Sequence, residues 1–303
     1  MSEKVLSIVS QKMIDIITSN IKNGTPAAPW TKPWNGSTGP ALNGVSKKFY
    51  RGINALVLPL YGFSSPFWFS QKQILSLGGR IKSEEFKKSA PVIFSMWGEK
   101  VNPDTGRKER KWFGYRFYQA WNLEQCEDMP SRFDTVKGEA LEFQPIERAE
   151  AIVKGWAGMP PVAHEGTRAF YRPSSDSITM PPQSTFKSEG EYYSTLFHEM
   201  IHSTGHKDRL NREEMGKGIF GSHDYSKEEL TAEMGAAMLC GYAGIENTFD
   251  NSIAYLTSWL SKLQSNPDWL VKAAAQAQKA VDLILGRSYE VETVVEGDDS
   301  GEG

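Results

Sequence analysis

Five consecutive residues, His198-Glu199-Met200-Ile201-His202, limit the possible folds of this chain more than any other stretch. Histidines four apart lie on one face of a helix about one turn apart, so their imidazoles can share one ion. Leu196, Phe197, Met200 and Ile201 make the rest of that helix apolar, so it should be buried. Burying two imidazoles and a carboxylate without a partner is costly, and a metal removes the cost. Glu199 adjoins the first histidine and can reach water held by the metal, which makes it the candidate general base. The spacing predicts a helix from about residue 188 to residue 204, stopped by Gly205.

A catalytic zinc needs a third protein ligand and one open position. Asp208 lies in the continuation HSTGHKD. Glu229 and Glu233 lie four apart on one face of a second predicted helix, residues 226–240, with Ser226 as N-cap and Glu229 closing a capping box. The preferred set is His198, His202 and Glu229, with Glu233 orienting a ligand histidine. Glu233 or Asp208 as the ligand remains open. Zinc fits this donor set, with manganese or another divalent ion as alternatives. The strand SITM, 177–180, precedes the helix and reads either as an edge strand for an extended peptide or as ordinary sheet. His206 and His223 are candidate oxyanion donors or plain loop histidines.

The net charge of −3 conceals a division: residues 1–120 carry +11 and residues 121–303 carry −14. Residues 1–121 also hold six of the nine tryptophans, among many lysines and arginines. Cations neutralise phosphates and aromatic faces stack on unpaired bases, so the basic half suggests single-stranded nucleic acid. No helix-turn-helix, zinc-finger or RRM signature points to duplex reading. The exposed binding set is expected to be Trp30, Trp34, Lys47, Lys48, Tyr50 and Arg51.

The pattern predicts an α+β chain of two domains. The basic half contains a helix over 3–22, a turn-rich stretch over 25–44, a short helix over 70–77, and strands over 91–99 and 111–123 joined by a turn. The expected limits are 1–130 for the mixed, DNA-binding domain, 131–145 for a linker, 146–287 for the metallopeptidase domain and 288–303 for an acidic disordered tail. A helix over 146–157, a hairpin over 168–180 and amphipathic helix within 250–285 belong to the second domain. Cys126 and Cys240 have no CxxC partner, which excludes a disulfide scaffold and a zinc ribbon. No apolar run approaches a membrane span, and the N-terminal segment has no secretory pattern, so a cytoplasmic chain with no membrane partner is expected.

WTKPWNG, KKFYRGINALVL, WFSQKQILSLGGRIK and RFYQAWNLEQC resemble, in that order, the N-terminal domain of the ArdC-type antirestriction proteins. DSITMPPQSTFKSEGEYYSTLFHEMIHSTGHKDRLNR, followed by YSKEELTAEMGAAMLC, resembles that family's zincin-like domain. The HExxH helix followed by an acidic helix is similar to the gluzincin metallopeptidases. The resemblance implies a plasmid-encoded cytoplasmic protein that binds single-stranded DNA and shields incoming conjugative DNA from host restriction. His198, Glu199 and His202 carry over directly, and Glu229 as ligand. Two readings follow: a binding protector with an accessory peptidase domain, or a DNA-guided metalloprotease that acts on DNA-bound proteins such as restriction subunits.

Overall fold

The computed structural model describes residues 2–23, 40–103, 106–133, 145–213, 223–245, 260–266 and 268–288. The chain is α+β. Helices α1 (Ser2–Lys22), α2 (Ile53–Val57) and α3 (Gln71–Ser76) belong to the basic half, with strands β1 (Leu42–Asn43), β2 (Phe67–Ser70), β3 (Arg80–Ile81), β4 (Ala90–Val101), β5 (Lys108–Asn122) and β6 (Cys126–Glu127). The second half contains α4 (Pro145–Gly155), β7 (Val162–His164), β8 (Phe170–Arg172), β9 (Ser177–Met180), α5 (Glu189–Thr204), α6 (His223–Ala243) and α7 (Asp268–Ile284).

The basic half is built on a four-stranded sheet in the order β1-β2-β5-β4, dominated by the long antiparallel β4–β5 hairpin. Its register shifts between Met96 and Trp97, so two residues of β5 face one of β4 there. Ser70 caps α3 in a reciprocal capping box with Gln73. Gly44 is fixed by packing, because a Cβ there would lie 2.0 Å from the Phe69 ring.

One large apolar core crosses the middle of the molecule. It takes Met13 and Ile17 from α1, Ile53, Leu56 and Val57 from α2, and Ile93 from β4. Against these lie Met200 and Ile201 of α5 and the buried faces of α6 and α7. Polar bonds tie the halves at its rim: Arg51 pairs with Asp282 of α7, and the Gly52 amide donates to Gln278 Oε1 at 2.9 Å. Asn54 brackets Ile93, donating to its carbonyl at 2.6 Å and accepting from its amide at 2.9 Å.

Two sequence expectations change here. The order β7-β9-β8 puts β9 at the centre of its sheet, parallel to β7 and antiparallel to β8. Both edges of 177–180 are therefore already hydrogen-bonded, and it is not an edge strand. Helix α6 begins at His223, so Ser226 lies inside the first turn rather than capping it. No described helix is long and apolar enough to cross a membrane.

Helices α5 and α6 approach closely at Gly235, where a Cβ would meet three side-chain atoms of Ile201 at 2.7–3.0 Å. In an ordinary helix Gly→Ala gains about 1 kcal/mol. Here the branch point of Ile201 would have to move, at an overpacking cost of about 1–3 kcal/mol. Gly235→Ala should therefore destabilise the protein by about 1 kcal/mol. Urea unfolding checks the sign, and a stabilised variant would contradict this packing.

Candidate metal centre

Helix α5 starts at its N-cap Ser188, whose hydroxyl accepts from the Glu191 amide at 3.1 Å. Its last two turns carry His198, Glu199 and His202, with Phe197, Met200 and Ile201 fully buried beside them. The Nε2 atoms of His198 and His202 stand 3.0 Å apart. Helix α6 brings Glu229 over them, with Oε2 3.6 Å from His198 Nε2 and Oε1 3.4 Å from His202 Nε2. Atoms about 2.0–2.2 Å from a tetrahedral zinc lie roughly 3.3–3.6 Å from one another. Two imidazoles and a carboxylate at these separations fit a divalent ion. Among the described residues, this trio is the group able to hold one. Glu199 lies beside it on the same helix and is buried.

The residues behind His202 were not legible in the sequence. Glu228 Oε1 lies 3.1 Å from His202 Nδ1. That contact leaves the metal-facing Nε2 as the lone-pair nitrogen when Nδ1 carries the proton. Glu228 is gripped in turn by Arg212, Nε to Oε2 at 2.8 Å and Nη2 to Oε1 at 2.6 Å. Arg212 also donates to the Thr204 hydroxyl at 2.6 Å and to the Ile201 carbonyl at 2.8 Å. One buried guanidinium thus fastens the end of α5 to the start of α6. The sequence attraction of the Glu229/Glu233 spacing hid Glu228, which orients His202 from one residue before the ligand. Glu233 is buried one turn beyond Glu229.

Burial alone would raise the Glu228 carboxyl, but the hydrogen bonds from Arg212 and His202 outweigh it and hold it below the usual carboxylate value. His202 shows the converse. Burial would lower its value, but Glu229 and Glu228 together hold it well above the ordinary histidine range. A proton therefore competes with a metal for this ring.

Asp208 stands apart. Its side chain is 73% exposed, and its Oδ2 lies 3.5 Å from His206 Nδ1. His206 lines a cleft of about 640 Å³ together with Ser174, Ser175, Asn211 and Arg212. The loop that carries it is braced by Arg209, which pairs with Asp176 and donates to the Ser203 carbonyl at 2.8 Å. The side chain of His223 lies outside the described residues.

The expected nucleic-acid residues are not brought together as one exposed group. Trp30 and Trp34 lie outside the described residues. Lys47 and Lys48 are exposed, and the Lys47 ammonium sits over the rings of Phe67 and Phe133, 4.1 and 4.5 Å from their centroids. Tyr50 is buried at 8% exposure in a small core with Trp68 and Leu58, its hydroxyl 3.3 Å from that of Tyr118. Arg51 is committed to Asp282. Tyr50 thus packs and Arg51 tethers, because the chain turns inward onto the core from residue 50, after the exposed residues 45–49.

Two outcomes follow from this geometry. Glu228→Gln keeps the shape but removes the charge behind His202, and should weaken metal binding about 10–100-fold. Competition with a chromophoric chelator measures this, and unchanged affinity would contradict the role. Because the His202 value is raised, the stabilisation gained from its protonated form is complete below its ordinary value and is lost as pH rises through the raised one. Metal affinity runs the other way and should climb from pH 6 to pH 8, with proton release on binding. Calorimetry in buffers of different ionisation heat detects those protons.

Residues 8–122 match the N-terminal domain of anti-restriction factor ArdC, and residues 147–276 match a zincin-like metallopeptidase family. The crystal structure of the antirestriction ArdC protein from plasmid R388 in its metal-free form is similar over 92% of this chain and 96% of that one, with 32% identity and a TM-score of 0.71. The Mn(II)-bound structure of the same protein gives 33% identity and a TM-score of 0.67, covering 91% of this chain and 97% of that one. A DNA primase TraC of Escherichia coli is 35% identical over 92% of this chain, which spans 20% of the primase. The protein y4eC of Sinorhizobium fredii (strain NBRC 101917 / NGR234) is 32% identical, with 84% of this chain and 83% of that one covered. With an ArdC-type N-terminal domain followed by a zincin-like domain, and with likeness at this level along nearly its whole length, the chain belongs to the ArdC antirestriction family.

Proposed function

We propose that this protein acts in the cytoplasm by binding single-stranded DNA and shielding incoming conjugative DNA from restriction, and that its second domain is a zinc-dependent peptidase. The observation that carries the enzymatic half is the convergence of His198, His202 and Glu229 beside the buried Glu199. Three protein ligands leave a position open, as hydrolytic sites need and closed structural sites do not. The His/His/Glu donors favour zinc, and the Mn(II)-bound relative supports tolerance of manganese.

When bound, the ion would polarise the scissile carbonyl and make water acidic enough to be a nucleophile near neutral pH. Glu199 takes the proton of the attacking water and returns it to the leaving amine. Glu228 and Arg212 keep His202 in its tautomer, and Glu233 is the group we assign to orienting His198. The basic charge and aromatic content of residues 1–121 support the DNA half of the reading.

A second reading, a metalloprotease directed to DNA-bound proteins, draws support from the shared core. Helices α1 and α2 of the basic half pack on α7, and α2 also on α6, so DNA and the peptidase site would be held in one body. DNA would then raise the local concentration of its bound proteins. Glu199→Gln separates the two readings. Protection by binding predicts that this variant retains metal, single-stranded DNA affinity and antirestriction in a conjugation assay. Loss of protection with DNA affinity intact would overturn that reading in favour of proteolysis.

A further inference from the structure

Large exposed apolar side chains concentrate on the outer half of the β4–β5 hairpin. Trp97, Val101, Trp112, Phe113 and Phe117 are five of the ten that the described residues contain. A sheet face turned to solvent is ordinarily polar. Here the register puts Trp97 directly opposite Trp112. Strand alternation adds Tyr115 and Phe117 to the same face, and the Trp112 and Tyr115 rings meet edge-on at 5.2 Å. Trp97, Trp112 and Tyr115 therefore adjoin one another, and Phe117 lies one alternate position, about 6.8 Å, further along the strand. The inner end of that face, at Ile93, is buried in the central core; the outer end, at Trp97 and Trp112, stays 40% and 44% exposed.

Charge decides what such a surface would accept. Residues 96–117 carry six lysines and arginines against three carboxylates. Two of the carboxylates are engaged locally, Glu99 by Lys108 at 2.9 Å and Glu109 by Asn102 at 2.7 Å. Lys108 is exposed on the ring face, and Lys100, Lys111 and Arg116 are exposed on the reverse face of the same two-stranded ribbon. A protein partner with an apolar patch would match the rings but not the positive charge of the ribbon as a whole. A flexible polyanion with accessible base faces matches both.

We infer that single-stranded DNA crosses the outer β4–β5 hairpin, with Trp97, Trp112 and Phe117 as stacking platforms on one face and its phosphates passing round the edge of the ribbon toward Lys100, Lys111 and Arg116 on the reverse. This inference rests on the single-stranded DNA reading above and relocates its site from the 47–51 segment to the hairpin.

The test is fluorescence anisotropy of the full chain with a labelled oligothymidylate at several salt concentrations. Trp97→Leu and Trp112→Leu keep apolar bulk but remove the ring face, and each should weaken binding by roughly five- to 150-fold. Lys111→Gln with Arg116→Gln changes only exposed positions. It should lower the slope of log affinity against log salt by about 1.4. Lys48→Gln is the comparison in the 47–51 segment and should change affinity little. If wild-type protein binds the oligonucleotide and all the hairpin variants bind as it does, the inference is overturned while the DNA reading stands. If wild-type protein does not bind, the DNA reading itself fails. If the tryptophan variants change only the sedimentation of the protein, with DNA affinity unaltered, the rings join copies of this chain and the inference is overturned.

Discussion

Everything at the candidate metal centre depends on how α6 is held against α5. Two contacts set that geometry. Gly235 lets the helices close to the distance at which Ile201 fills the gap, and Arg212 bonds at once to Glu228 and to the last turn of α5. The first is a packing constraint and the second an ion pair taken out of water. A buried ion pair is a weak source of net stability, because desolvation offsets its attraction. What it supplies here is position: with either partner missing, a charge would be left alone in an apolar interior beside His202. The chain thus devotes a buried arginine and glutamate to the orientation of one ring.

This explains a division of labour between adjacent residues. Glu228 and Glu229 are consecutive, so helical geometry turns them roughly 100° apart. Glu229 faces both Nε2 atoms, while Glu228 reaches around to Nδ1 of the second ring. One turn of helix therefore contributes both a candidate metal ligand and a carboxylate that contacts the far nitrogen of a second candidate ligand.

The parts legible in the sequence were the local ones. Histidines four apart define a helix face wherever the helix sits, and Ser188 and Gly205 mark its ends by capping chemistry that needs no tertiary partner. The β4–β5 strands were legible for the same reason, as long aromatic and β-branched runs around a turn. What was not legible depended on distant chain. Glu228 is recognisable as a partner of His202 only once Arg212 is in place. The 177–180 strand reads like an edge until β7, three residues long, pairs along its free side. Tyr50 and Arg51 look like a basic aromatic surface until Tyr118 and Asp282 arrive from elsewhere in the chain to take them inward. On the β4–β5 hairpin, by contrast, Trp97, Trp112 and Phe117 stay exposed at 40%, 44% and 37%.

Anomalous diffraction at the zinc edge, from crystals of the protein grown with zinc, tests the central claim most directly. The account predicts one ion bound by Nε2 of His198, Nε2 of His202 and a carboxylate oxygen of Glu229, each about 2.0–2.2 Å away, with a fourth position left to solvent. Ligation by Asp208 or Glu233 in place of Glu229, or a closed set of four protein ligands, would contradict it.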